Sequence, residues 1–366
     1  MNSNCSPEYR KQVIAVCCQD DVHLFEQRFP SVWFTKFSHL DSGSYSRVFI
    51  SKSCFTGKEY VTKMIKLHKR KVNKDIHSED LKSKSKYQSS AEDKLLEEHY
   101  GNVFQEIVIV KCLSNMHITQ CNINGHSFRV HCFPKIYQTG LVTGRIPFDK
   151  ESIETSHEYV AICMEHCGIS LRKAAKKLSL KQVASICYQL LLGMAAAEQL
   201  YEYEHRDLHL ANILVRKTKS EKLNFVFQSS QYQVQTYGIR AFIIDNTFAR
   251  MRLGNQIYYT RLSDKLERKW LQSLDDDKRK ELTEQDMIYV RMHNAARDNW
   301  SQWLKRTNLY WLNHIVVQLI NHKQILPQAD KDQSTFIELK YLENCLTNYE
   351  SLYEVVQNIF NLSQVL

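Results

Sequence analysis

Glycine and proline are scarce in this chain, 10 and 5 residues out of 366. An all-β protein punctuated by tight turns uses more of both, so the shortage points to a helix-rich architecture. No CxxC pair occurs among the eleven cysteines, an odd count of which many sit in apolar runs such as AICMEHC and ASICYQLL. That pattern argues against a disulfide framework or a zinc site of the usual ligand spacing, and suits free thiols in a reducing compartment. The opening MNSNCSPEYRKQ lacks an apolar signal-like core, and no apolar run is expected to approach the roughly 18 residues of a membrane span. An intracellular, soluble protein is therefore expected, with no membrane partner. No internal repeat is visible. What is present is ordinary for a globular chain, 43% hydrophobic and 24% charged residues, in a length that allows one large or two ordinary domains. The net charge of +9 is a mild excess that allows acidic partners but reads first as a solvated surface.

Residues 34–66 alternate apolar with polar residues and are broken by Ser-Gly-Ser and Thr-Gly, which predicts three short antiparallel strands. Residues 67–94 are almost devoid of apolar side chains and read as a loop or insert. A helix is expected from Leu95 to near Met116, then strands in FPKIYQTGLV and EYVAICMEH. Ser179 and Gln182 form a capping-box signature, followed at helical spacing by Val183, Ile186, Cys187, Leu190, Leu191, Met194 and Ala197. Strand-like NILVRK and AFIIDN flank the polar QSSQYQVQ, and most of the remainder reads as helix, including LYWLNHIVVQLI and a stripe from Leu339 to Phe360. The division is strands first and helices second. It gives an α+β chain with an N-terminal extension over 1–33, a strand-rich lobe over 34–167 and a helical lobe over 168–366.

One stretch carries chemistry, EHRDLHLANILV at 204–215. An aspartate followed five residues later by an asparagine and then a β-run suits phosphoryl transfer. Asp207 would accept the proton of an attacking hydroxyl, and the loop would bring Asn212 back to a metal ion. A second metal carboxylate is needed on a following strand, and Asp245 at the end of AFIID is placed for it. A cation must hold phosphate charge, for which Lys63 in EYVTKMI is the candidate, similar to the lysine of the V-A-I-K pattern of protein kinases. Glu106 in VFQEIVIV would steady it. A lone lysine in a strand or glutamate in a helix is usually a surface residue. The five occurring together in this order carry the argument. The glycine-rich loop is degraded: in LDSGSYSRVF only Gly43 survives, with Asp41 and Ser46 at the other glycine places.

These motifs resemble the haspin family of atypical eukaryotic protein kinases. EHRDLHLANILV has His209 where ordinary protein kinases have lysine, MEHCGISL is similar to the family's hinge, and VASICYQLLLGMAAAEQLYEYEHRD to its helix into the catalytic loop. IIDNTFARM stands where others have DFG, TNLYWLNHI resembles a helix of the second lobe, and no A-P-E follows Asp245. The resemblance covers about residues 34–360, nearly the whole chain, and no long regulatory tail is expected. It implies a two-lobed protein-kinase-like fold, with a small antiparallel-sheet N-lobe carrying one main helix and a mostly helical C-lobe. It also implies ATP, Mg2+ and transfer of a γ-phosphoryl group to a serine or threonine of a protein. Adenine would lie against Leu40, Val48, Val61 and Leu214, near Gly43 and Lys63, with Met164 as gatekeeper and the backbones of Glu165 and Cys167 as hinge. Asp207, Lys63, Glu106, Arg206 and His209 are the catalytic set, Asn212 and Asp245 the metal ligands, and Asp286 resembles the acid that braces the catalytic loop. The family inheritance is a histone H3 N-terminal threonine, hence a nuclear or chromosomal place, and a monomer. Ser170 departs from the acidic residue that ends the family hinge, and a basic substrate prefers an acidic groove. Asn246 and Thr247, in place of an apolar residue and a permissive glycine, should hold Asp245 inward and limit dependence on activation-loop phosphorylation.

Two alternatives stay open. A pseudokinase that binds without turnover is supported by the degraded loop. A small-molecule kinase of the aminoglycoside or choline type shares DLHxxNILV but usually has glycine where this chain has Arg206. The basic run KLHKRKVNK, 66–74, reads as a solvated loop without interleaved aromatics, so direct nucleic-acid binding is not expected.

Overall fold

The alternation through Phe34–Leu67 resolves into three antiparallel strands, Phe34–Ser42, Ser46–Ser53 and Glu59–Leu67. They are seen in a computed structural model that describes residues 8–30, 34–42, 46–67, 79–122, 124–144, 146, 157–261, 282–324 and 333–362. The chain divides into two compact units, residues 1–111 with 135–166, and 112–134 with 167–366.

In the first unit, strands Ile136–Thr143 and Glu158–Glu165 extend the sheet, and the short strand His23–Leu24 pairs in parallel at its edge, making six. The two-residue period puts Ile65, Leu67, Val160 and Ile162 on one face, packed with Tyr100, Val103 and Ile107 of the helix Glu79–Asn115. Met64, Tyr159, Ala161 and Cys163 cluster separately with Phe25, Phe29, Phe37 and Phe49. A strand buried on both faces is why EYVAICMEH reads as a nearly unbroken apolar run.

Two expectations change here. Residues 8–30, read as an extension, are part of this unit: Val13 and Cys17 join the core beside Tyr100, and Arg10 pairs with Glu158 at 2.8 Å. The stretch read as a loop over 67–94 is helical from Glu79, while 68–78, with most of the basic run, lies outside the described residues. No glycine or proline interrupts 79–100, and Glu79 and Asp80 open the helix. A helix nucleated by its apolar half can therefore propagate back through polar residues at little cost.

The second unit is built on the helix Leu180–Tyr201. Ser179 Oγ accepts from the Gln182 amide at 3.2 Å and Gln182 Oε1 accepts from the Ser179 amide at 3.0 Å, the expected capping box. This helix is long and apolar enough to cross a membrane, contrary to the expectation that no run comes near that length. Most of it is buried within the protein, where a helix apolar on all sides belongs. Gly193 marks a close approach: a Cβ there would lie 1.9 Å from Cys132 Sγ. Segment 112–134 accordingly belongs to this unit and not to the strand-rich lobe, with Phe128, Val130, Cys132 and Phe133 buried.

Strand Ile213–Lys217 pairs with Ile239–Ile243 on one side and Ile169–Ser170 on the other, all antiparallel. Between its first two strands lies a hairpin absent from the sequence reading, Lys222–Phe227 with Ser230–Gln235. Its turn residues Gln228 and Ser229 both have positive φ, 48° and 66°, the geometry that matches strand twist but without the Asn-Gly that announces it. Helices Glu284–Ala296, Arg306–Gln324, Gln333–Asn348 and Leu352–Leu362 follow, and the C-terminal stripe is shared between the last two.

Candidate active site

Strand register selects the side chains of the first unit. Val48 lies opposite Lys63 and Val61 opposite Met164, so the four stand on one face of the sheet. That is the face covered by the Glu79–Asn115 helix, and there Lys63 Nζ meets Glu106 Oε1 at 2.7 Å. Glu106 is buried and Lys63 largely so. The pair fixes a long, mobile cation in one place, at the cost of desolvating both charges. Leu40 is about half exposed on its strand, and Gly43 lies outside the described residues. The Glu165 amide donates to the Lys135 carbonyl at 2.8 Å, so a further hydrogen bond at Glu165 falls to its carbonyl.

In the second unit, pairing of Ile213 with Ile243 sets Asn212 beside Ile244, whose amide donates to the Asn212 carbonyl at 2.9 Å. Asp245 is the next residue. The five-residue spacing closes the loop from the other end: Asn212 Nδ2 donates to the Asp207 carbonyl at 2.9 Å and lies 3.5 Å from Asp207 Oδ2. Asp207, Asn212 and Asp245 thus gather at one end of a two-stranded ribbon. Leu214 follows on its first strand, opposite Ser170, and Cys167 is buried. Asp245 has φ of 64°, a left-handed conformation that costs a non-glycine residue roughly 1 kcal/mol. Its neighbours hold it: the Thr247 hydroxyl donates to Asp245 Oδ1 at 2.6 Å, and buried Asn246 accepts from the Tyr203 hydroxyl at 2.7 Å.

Burial pushes Asp207 up to about 7, and the charge of Asp245 adds to the rise. Working against it are hydrogen bonds from Asn212 and from the Tyr289 hydroxyl, which donates to Asp207 Oδ1. Tyr289 is packed edge-on against the buried Trp311, with ring centroids 5.1 Å apart. His205 is fully buried and lowered to about 4 by that burial. Its neutral ring accepts from the Asp207 amide on Nδ1 and donates from Nε2 to the Ile244 carbonyl, tying the two carboxylate segments together. His209 is also lowered, by burial and then by Arg172. Its Nδ1 accepts from the Ala211 amide, and its Nε2 is 3.8 Å from Asp207 Oδ1.

Arg206 does something other than its catalytic assignment. Its fully buried guanidinium donates twice to Glu204, both at 3.1 Å, and to the carbonyls of Trp300 and Gln302. It anchors the loop and does not face the reacting atoms. Arg250, equally buried, donates to the Ser301 carbonyl and to Glu202, and lies 3.9 Å from Glu204. Asp286 is also corrected: it caps its own helix through Thr283. The bracing group is Asn308, fully buried, whose Oδ1 accepts from the His205 amide at 3.2 Å while Nδ2 donates to the Tyr203 carbonyl and Glu198. Sequence reading missed Asn308 and Tyr289. The available signal was a Thr-Asn pair opening the apolar helix of TNLYWLNHI.

Among the described residues no cluster of three or more His, Cys, Asp or Glu could hold a metal ion alone. One carboxylate plus one amide oxygen is the sparse protein contribution typical of magnesium, which keeps water and phosphate oxygens as its other ligands. Asn212 commits its Nδ2 to Asp207, which leaves its oxygen as the ligand atom, and the proximity of Asp245 and Asp207 favours a cation between them. The donor set fits.

Over residues 12–358 the chain matches the family described as Haspin like kinase domain. It belongs to that family. Its α+β architecture is the protein-kinase-like fold, with the sheet-bearing unit as N-lobe and the helical unit as C-lobe. The serine/threonine-protein kinase haspin homolog of Drosophila melanogaster is 26% identical over 284 residues, covering 72% of this chain and 47% of the relative. That of Arabidopsis thaliana is 30% identical over 202 residues, covering 55% and 32%. Haspin of Mus musculus is 25% identical over 202 residues, covering 52% and 26%. The chain spans less than half the length of these relatives. In haspin-like terms, Lys63 and Glu106 are the N-lobe ion pair, and Asp207, Asn212 and Asp245 are the C-lobe polar constellation.

Proposed function

We propose that this haspin-like domain is an ATP-dependent protein kinase that transfers the γ-phosphoryl group to a serine or threonine hydroxyl of a protein. The observation that carries the reading is the convergence of Asp207, Asn212 and Asp245 at one end of the Ile213–Lys217 and Ile239–Ile243 ribbon. Asp207 receives the proton of the attacking hydroxyl, and its raised pKa suits it to accept and release that proton near neutrality. Asn212 and Asp245 hold Mg2+, which when bound offsets the charge of the phosphates. Lys63, steadied by Glu106, binds phosphate; by family resemblance the adenine-facing positions are Leu40, Val48, Val61, Met164 and the Glu165 backbone in the first unit, and Leu214 and the Cys167 backbone in the second. Asp245 is held by Thr247 and the segment around Asn246 by Tyr203, which supports activity without activation-loop phosphorylation.

A histone H3 N-terminal threonine, with a nuclear or chromosomal place, is the substrate suggested by the family resemblance. Purified protein, labelled ATP, Mg2+ and a histone mixture test it, with the modified residue mapped. Transfer is expected to fall by at least about a hundredfold in Asp207→Asn and to survive prior phosphatase treatment of the wild type. ATP binding without transfer to any protein would leave a pseudokinase.

A further inference from the structure

We propose that the substrate is recognised through acidic residues flanking its serine or threonine, by a cationic surface beside the catalytic loop. This rests on the kinase reading above. Between Glu165 and Glu198 the chain has no carboxylate, while Arg172, Lys173, Lys176, Lys177 and Lys181 fall within ten positions. All five side chains are exposed, and the residues between them, Leu171, Ala174, Ala175, Leu178 and Leu180, are buried. The segment is therefore fastened to the core by its apolar side and turns a cationic side outward. No described carboxylate pairs with Arg172, Lys173, Lys177 or Lys181.

A charged helix face is ordinarily only solvated. The position of its first part, Arg172 and Lys173, gives it a further use, whereas Lys181 lies toward Tyr237, at the other end of the strand pair from Asn212. The Arg172 amide donates to the Leu210 carbonyl at 3.0 Å, inside the loop that carries Asp207 and Asn212, and Ile169–Ser170 pairs with the strand that leaves that loop. The Arg172 charge reaches His209, itself 3.8 Å from Asp207 Oδ1. Ser170, at the start of the segment, adds no negative charge. A chain whose hydroxyl sits on Asp207 meets cations on the Arg172 side, where acidic flanks are attracted and lysine-rich ones repelled. Efficient use of a lysine-rich histone tail would therefore count against acidic recognition.

The test uses peptides with one acceptor threonine flanked by aspartates, by neutral residues or by lysines. They are assayed on the wild type and on the triple variant Arg172→Glu, Lys173→Glu, Lys177→Glu. The acidic peptide should have a KM roughly tenfold below the neutral one at low ionic strength, the gap closing as salt is added. The order should invert in the variant. Fluorescence anisotropy of labelled peptides should give the same order without turnover, and Lys173→Ala with Lys177→Ala should narrow it. Acidic preference in binding with no transfer sinks the kinase reading and leaves this one standing. Equal or better use of neutral or basic flanks, an order unchanged in the variant, no measurable preference, or tighter binding of duplex DNA or anionic vesicles overturns it.

Discussion

At neutral pH the Asp207 carboxyl sits between its two protonation states, because burial and the nearby Asp245 lift it while Tyr289 and Asn212 pull it back. The sign of the Tyr289 contribution is fixed by its role as donor, which favours the ionised form. In Tyr289→Phe the acid limb of kcat/KM, expected near pH 7, should move to higher pH by up to about one unit, the worth of one hydrogen bond to a charged group. A pH profile of both proteins checks this, and a limb that stays put or moves down counts against it. The spacing that defines Asp207 and Asn212 was legible in the sequence because it is a local property, a loop closing on itself through five residues. Tyr289 and Asn308 were not. They arrive from helices 82 and 103 residues further along the chain, where a tyrosine or asparagine looks like any other helical polar residue. Arg206 was legible as part of HRD but not in what it touches, since its partners Trp300 and Gln302 are equally distant in sequence.

The helix Leu180–Tyr201 carries Glu198 in its last turn, buried, with Oε2 accepting from Asn308 Nδ2 at 3.0 Å. Burial pushes Glu198 up to about 7. A carboxyl raised above its unfolded value near 4.5 leaves stability untouched below that pH, lowers it progressively up to pH 7, and applies its full cost above. Glu198→Gln should therefore be neutral at pH 4.5 and stabilise the fold at pH 8 by roughly 3 kcal/mol. Urea unfolding at the two pH values decides it. Strong period-two and period-3.6 patterns announced the sheet strands and this helix, since each buries one or more faces. Residues 79–94 and the hairpin at 222–235 escaped for opposite reasons. The first is a helix with hardly an apolar residue to mark it, and the second a pair of strands joined by Gln228-Ser229 instead of a recognised turn pair.

The division of the chain is not collinear with its sequence, and this was the feature least open to a linear reading. Segment 112–134 precedes two N-lobe strands yet gives Phe128, Val130, Cys132 and Phe133 to the C-lobe, with Phe128 edge-on to Phe227 and the Ile243 amide bonded to the Cys132 carbonyl at 2.7 Å. Residues 167–366 expressed alone should melt broadly and without cooperativity, and a sharp transition should return when 112–134 is fused to them. Circular dichroism melts of both fragments test it, and a sharp transition in the shorter one contradicts it. Cutting several large apolar side chains from one core removes a few kcal/mol each, more than a domain of this size can spare.

Two guanidinium groups sealed from water, Arg206 and Arg250, converge on Glu204, joining the approach to Asp207 with the exit from Asp245. Loosening either end would strand an ion in the interior, so partial opening of the loop gains nothing over wholesale unfolding of the helical unit. Heat should consequently leave the phosphate-handling end of the molecule intact until its surroundings give way, and then take it in a single step.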